Sequence, residues 1–505
     1  MSGLVAPDTP VEAEARARRR RLALGAALAL FAAGTYAYWR VVPQPAERYA
    51  DIEGHYKYGS TGGDNTERGV PFRLWQVLPA MFPEHLPGGG KGPAGYDAFG
   101  FLVEPGADRP IGFSKRRVLG IDLVGMNCAV CHAGSVRATP ESRRQVVLGM
   151  PSNTVDLQAY FRFLFACAAD DRFTVEAVVA RVLGQGGLDA YERAVYPRVV
   201  RQFRDKITEQ KGLVAYWDRE REFPRFGPGR IDTFNSVKVV SMGWGPGDAV
   251  GTNDFPSIWN QRPRRAWAMH WDGNNSSMEE RNISAAIGVG VQAPNAYHPD
   301  IKSTLDEPSM ARVAEWILDL GPPPFPESKI DRSKSPRGGE VYAAHCAACH
   351  APTGERIGQV VPLDDPRLGT DRQRLDSFTP ELADAMNTIG LGLPWRFNHF
   401  RKTDGYANQP LDGLWLRAPY LHNGSVPTLR DLLKRPADRP KVFRRGSDVY
   451  DWVNVGFDST TAAEGGRTYT EYDTQGRGNG NGGHTYGVDL PPADKDALLE
   501  FLKTL

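Results

Sequence analysis

Cysteine is scarce, with five residues in a chain of 505, too few for a fold stapled by a disulfide framework. Charge of one sign is missing as well. Sixty-one Lys and Arg face sixty Asp and Glu for a net charge of +1, so no basic field points to a nucleic-acid partner. Neither a Walker loop nor a dinucleotide fingerprint is present, which leaves no sequence reason to expect nucleotide chemistry. Glycine and proline are plentiful instead, at 54 and 39 residues, and imply a loop-rich architecture. The length suggests two or three domains, with enough apolar content to bury real cores.

Four of the five cysteines fall in two copies of one pentapeptide, Cys128-Ala-Val-Cys131-His132 and Cys346-Ala-Ala-Cys349-His350. C-x-x-C-H is the attachment signature of c-type haem. The two thiols add across the haem vinyl groups, and the adjoining histidine reaches the iron as its fixed axial ligand. At ordinary cysteine and histidine frequencies one chance copy arises in roughly one such protein in a thousand. Two copies make coincidence negligible. Other readings of the cysteines fit less well. Zinc ribbons place their C-x-x-C pairs roughly 15–20 residues apart, whereas these lie in separate halves of the chain. A thioredoxin-like pair needs one motif and no histidine, and a structural disulfide is strained across so short a loop. Cys167 has no partner and reads as a buried free thiol.

Near the N-terminus, Arg16 and Arg18 to Arg21 precede an apolar stretch from Leu22 to Trp39, just long enough to span a bilayer as a helix. Basic residues before it favour a cytoplasmic start, and Tyr36, Tyr38 and Trp39 suit the far interface. The expectation is a cytoplasmic basic tail (1–21) and an uncleaved anchor in the inner membrane (22–39), with a periplasmic or otherwise extracytoplasmic body. A cleaved signal ending near Ala37 is the alternative.

Within that body the segment 313–320 echoes the last eight residues, 498–505: both carry apolar residues at i, i+3, i+4 and i+7 and follow a helix-opening proline. Any two amphipathic helices share this much. The fuller reading is two haem domains, 45–321 and 327–505, each closed by a C-terminal helix and separated by the linker Gly321-Pro322-Pro323-Pro324-Phe325-Pro326. Gly338, just upstream of Cys346, permits close helix contact there. The expected fold is mainly α: two cytochrome c-type domains with long irregular loops and few short strands. One strongly helical region is expected from Val155 through Tyr191.

Several segments resemble the di-haem cytochrome c peroxidase superfamily and, within it, the rubber oxygenase-like branch. They include Gly54-His55-Tyr56-Lys57-Tyr58-Gly59-Ser60, Gly227-Pro228-Gly229-Arg230-Ile231-Asp232, Trp271-Asp272-Gly273-Asn274-Asn275, Ala418-Pro419-Tyr420-Leu421-His422-Asn423-Gly424-Ser425 and Gly483-His484-Thr485-Tyr486-Gly487. The resemblance implies two covalent haems with His132 and His350 as proximal iron ligands, and it admits a Ca2+ ion. Ordinary di-haem peroxidases carry a methionine ligand where this chain has Leu421, so the C-terminal haem needs another donor. His484 matches the position that supplies a second histidine in the oxygenase-like branch, and His422 is the runner-up. A His350/His484 haem is saturated and suits electron transfer.

The N-terminal haem is then the candidate reaction centre. Its expected wall is Trp267-Ala268-Met269-His270-Trp271, where His270 is an acid/base group, a sixth ligand or a packed histidine. Trp259 is an inter-haem aromatic or simply core. Arg230 is a propionate partner or an ordinary arginine. Three functions stay open: an exported oxidoreductase activating O2 or peroxide, a peroxidase fed by a small cytochrome or quinol pool, and a non-enzymatic electron carrier. The organic substrate is not legible.

Overall fold

A computed structural model describes residues 9–42 and 44–505. Residues 1–8, the start of the expected basic tail, lie outside the described residues. The arginine run and the apolar stretch form one helix, Pro10–Val41. Thr9 opens it with a capping box: its hydroxyl accepts from the Glu12 N–H, and the Glu12 carboxylate accepts from the Thr9 N–H at 2.9 Å. Apart from Arg40 its side chains are exposed. Among the described residues it is the one helix long and apolar enough to cross a membrane. Such a helix fits a signal anchor or a membrane span.

Helix outweighs strand, at 40% against 11%, although among the described residues the strands are numerous: fifteen, each of two to six residues. The expected helical region 155–191 is broken into Leu157–Ala169, Val175–Gly184 and Ala190–Leu213. Thr174 caps a new helix by accepting from Ala177 N–H, and Gly186 and Gly187, both at positive φ, separate the second from the third. These helices enclose an aromatic core of Trp75, Tyr96, Phe99, Phe113, Tyr160 and Phe163, in which Trp75 and Tyr96 stack at 3.8 Å.

The chain enters its two cysteine motifs differently. Strand Phe113–Val118 pairs antiparallel with Ile121–Met126, Phe113 opposite Met126, and the second strand runs directly into Asn127 and Cys128. The helical turn Ala129–His132 follows, then strand Ala133–Val136. Cys346 instead follows helix Ser335–His345, which packs across the C-terminal helix Pro492–Leu502. A Cβ on Gly338 would collide with the Ala497 carbonyl, so glycine there sets how closely the two helices approach.

The echo helix Glu307–Ile317 packs on Ile52–Tyr58, with Trp316 and Tyr56 rings 5.1 Å apart. Its partner thus lies far upstream of the first motif, with the β-hairpin inserted between. One core joins Phe234 and Ile283 to Phe378, Leu382 and Phe397; another joins Val136, Met150 and Trp259 to the C-terminal helices. Residues on both sides of the 321–326 linker therefore share cores.

Candidate functional site

The first motif opens onto a cavity of ≈ 210 Å³, lined by Cys128, Cys131, His132, Tyr56, His270 and Trp271 among others. Asn127 aims the motif: its side-chain amide donates to Gly59 O at 2.8 Å and its Oδ1 accepts from Ala129 N–H at 2.9 Å. His132 Nδ1 lies 2.9 Å from the Pro256 carbonyl. A carbonyl only accepts, so Nδ1 carries the proton and Nε2 keeps its lone pair. This is the usual support for a metal-ligating imidazole. Burial lowers the His132 pKa to about 4, keeping the ring neutral. Cys128 and Cys131 are free thiols, available for thioether bonds.

The second motif repeats this arrangement around a cavity of ≈ 200 Å³. His350 Nδ1 donates to Gln409 O at 2.8 Å, and Cys346 and Cys349 are free. Across the cavity stands His484, its ring centroid 6.2 Å from that of His350 with 40° between planes. Metal–imidazole bonds of about 2.0–2.1 Å would put two rings on opposite sides of one ion roughly 6 Å apart, so the spacing suits a shared metal.

The backbone around His484 is held tightly. Its N–H donates to Leu368 O at 2.8 Å, Arg439 donates to Gly483 O at 2.8 Å, and His484 itself adopts φ +46°. Burial drives its pKa to about 3, and the His350 ring adds to this. Leu421 lines the same cavity at φ +69° and offers no donor atom. His422 also lines it, but its Nε2 is bonded to Tyr406 Oη at 3.0 Å and its ring stacks on Tyr406.

Trp271 lines both cavities. Its indole N–H donates to Asp254 O at 2.9 Å, and Ala407 N–H donates to its carbonyl. Trp259 does not share that position. It is fully buried, donates to Leu148 O at 2.8 Å, and lines neither cavity. The aromatic between the cavities is Trp271, because Trp259 is consumed by the core under strand Gln145–Leu148. Arg230 is likewise removed from both: 1% exposed, it donates to Asn479 Oδ1 at 2.8 Å beside Asp254.

His270 sits in the first cavity at φ +64°, its Nδ1 2.6 Å from Asn274 Oδ1 and its ring stacked on Phe400. Burial lowers its pKa to about 4. It is a neutral imidazole whose Nε2 is the free acceptor.

Two lining cations carry no sequence signal. Arg281 donates to Gln261 Oε1 at 2.6 Å, and burial beside Arg264 lowers its pKa to about 10. Arg374 pairs with Asp272 at 2.8 Å. Asp272 directly follows Trp271, which is the one sequence hint that a counter-charge belongs there.

Among the described residues, Glu84, His85 and Asp170 are the group of three side chains placed to hold a metal ion. Arg172 already pairs with Glu84 and, at 2.7 Å, with Asp170. Calcium takes six to eight oxygen ligands, so this cluster is an ion-pair network and carries no calcium assignment.

Comparison with known proteins bears on the second cavity. The family model "RoxA-like, cytochrome c-like" matches residues 405–444, the segment that supplies Tyr406, Leu421 and His422 to its wall. That region is similar to RoxA-like cytochrome c domains, and a cytochrome c-like domain implies haem c. Two relatives from Sinorhizobium fredii (strain NBRC 101917 / NGR234) are similar over longer spans. Uncharacterized protein y4iJ is 26% identical over 519 residues, covering 81% of this chain and 84% of the relative. Uncharacterized protein y4iM is 32% identical over 295 residues, covering 50% of this chain and 64% of the relative.

Proposed function

We propose that this chain is an exported, membrane-anchored di-haem c-type cytochrome of the di-haem peroxidase superfamily, acting as an oxidoreductase. In this reading O2 or peroxide reacts at the first cavity and electrons pass through the second. The RoxA-like similarity is consistent with an oxidoreductase. Bound haem would supply an iron that carries electrons or binds small oxidants. Both cavities fit such a group: each pairs two free thiols with an imidazole whose Nδ1 is anchored to a backbone carbonyl.

The observation that carries the division of labour is a difference between imidazoles. His484 faces His350 at a spacing suited to a shared metal. In the first cavity the other imidazole, His270, is tethered to Asn274 and stacked on Phe400. There His132 would hold the group, His270 Nε2 would accept a proton from peroxide in the cavity, and Arg281 and Arg374 would offset negative charge. Trp271, shared by both walls, is the aromatic path between them. A small cytochrome or the quinol pool would deliver electrons.

Optical and EPR spectra of the oxidised protein test this directly. The expected result is one low-spin bis-histidine signal and one centre that binds carbon monoxide after reduction. Two low-spin centres that refuse external ligands would sink the catalytic reading and leave an electron carrier.

A further inference from the structure

Beside the two cysteine-lined cavities lies a third of the same size, ≈ 230 Å³. No cysteine motif accompanies it. Its lining is drawn from the N-terminal aromatic core, including Phe113, Tyr160, Phe161, Leu164, Phe165 and Trp217. Protein interiors pack to crystal density, and large apolar voids are few. An apolar chamber with a small number of polar groups is instead the usual form of a small-molecule site.

Its position is informative. Leu157, Ile231, Thr233, Val237, Ile287 and Val289 line both this chamber and the first cavity. A molecule held in the chamber would therefore lie against the wall of the proposed reaction centre.

The chamber has one charged lining residue, Arg68, and no lining carboxylate. Arg68 is half-buried; its backbone N–H donates to Asn65 Oδ1 at 2.9 Å, and among the described residues its guanidinium makes no ion pair or hydrogen bond. Adjacent Glu67 pairs with Lys206 at 3.2 Å. Burial lowers the Arg68 pKa, and Glu67 and Glu209 offset this only in part. A guanidinium with spare donors beside an apolar cavity wants an anion attached to something greasy.

We propose that this chamber binds a single-chain anionic amphiphile, its chain along the aromatic wall and its head group on Arg68, as the organic substrate presented to the first cavity. The role as substrate rests on the reading of the first cavity as a reaction centre; the binding does not.

Calorimetric titration of the holoprotein with laurate, dodecyl phosphate, dodecan-1-ol and dodecyltrimethylammonium tests it. Both anions should bind at one per chain, more tightly than the alcohol or the cation. Arg68→Gln should weaken anion binding about tenfold or more, the scale of a lost hydrogen bond to a charged group, and leave the alcohol unchanged. Leu164→Trp, which fills the chamber, should weaken all binding. Tighter laurate would assign a fatty-acid source and tighter dodecyl phosphate a phospholipid-like one; either supports the chamber. No binding, binding indifferent to head-group charge, or anion binding untouched in Arg68→Gln would overturn it. Carbon monoxide binding, measured in parallel, separates the two readings. Anion binding without carbon monoxide binding keeps the chamber and removes the reaction centre, and the reverse removes the chamber alone.

Discussion

The same five-residue motif is mounted on two different scaffolds. Cys346 follows a helix crossed by the C-terminal helix over Gly338, a compact pair around its cavity. Cys128 follows the β-hairpin 113–126, and its helix partner has been moved to residues 52–58. The local chemistry is conserved between the two, down to the carbonyl that fixes each histidine tautomer. What differs is what surrounds it. The helix pair closes around a second imidazole, while the hairpin shares its walls with a neighbouring chamber. One cavity holds a second histidine opposite its motif, and the other has a chamber beside it.

The largest effect should come from removing attachment. Changing Cys128 and Cys131 together, or Cys346 and Cys349 together, to Ala should cost one covalent haem each by intact mass. A wild-type mass carrying one haem or none would end the comparison. Next, His484→Ala should convert the low-spin bis-histidine signal to high-spin while leaving the first centre's spectrum unchanged. An unaltered spectrum would make the 6.2 Å spacing coincidental.

The two tryptophans should separate cleanly. Trp259→Ala should destabilise by about 3–5 kcal/mol, as core aromatic deletions do, and leave electron exchange between the haems alone. Trp271→Phe should slow that exchange in flash photolysis with little loss of melting temperature. On the second scaffold, Gly338→Ala should cost about 1–3 kcal/mol by overpacking against Ala497. Gly339→Ala, whose Cβ meets only the Phe501 ring at 3.3 Å, should be neutral or stabilise by up to about 1 kcal/mol in thermal melts.

A further effect concerns pH. His270 is held neutral, its pKa lowered from 6.5 to about 4. The unfolded chain therefore takes up a proton first as pH falls, and stability present above pH 6.5 is lost between about 6.5 and 4. The loss is worth up to about 3 kcal/mol. His270→Asn should flatten that part of the stability profile; an unchanged slope would place its cause elsewhere.

Which of these residues could be read from the chain follows from how local their signals are. The cysteine motifs are contiguous, so spacing alone exposes them. His484 stands in a glycine-rich run that only makes sense if backbone must pass close to something. The choice between Trp259 and Trp271 depends on which one the fold spends on its core, and that is set by strand 145–148 more than a hundred residues earlier. Arg281 and Arg374 reach the first cavity from separate helices and have no pattern at all. Thr174 and the Gly186-Gly187 pair carry cap and breaker signals, yet the expected helical region runs from Val155 through Tyr191 across both, because the helical segments on either side outweigh breaks of only five residues each.

Among the described residues, six other than glycine hold a left-handed backbone, and three of them, His270, Leu421 and His484, line the two cavities. Each such conformation costs on the order of 1–3 kcal/mol. A chain shaped for robustness alone would place glycine at all three positions. Keeping bulky side chains there means that the loops bearing them are prestressed. They should therefore be the first segments to loosen, by hydrogen exchange, in a preparation whose cysteines have not been loaded.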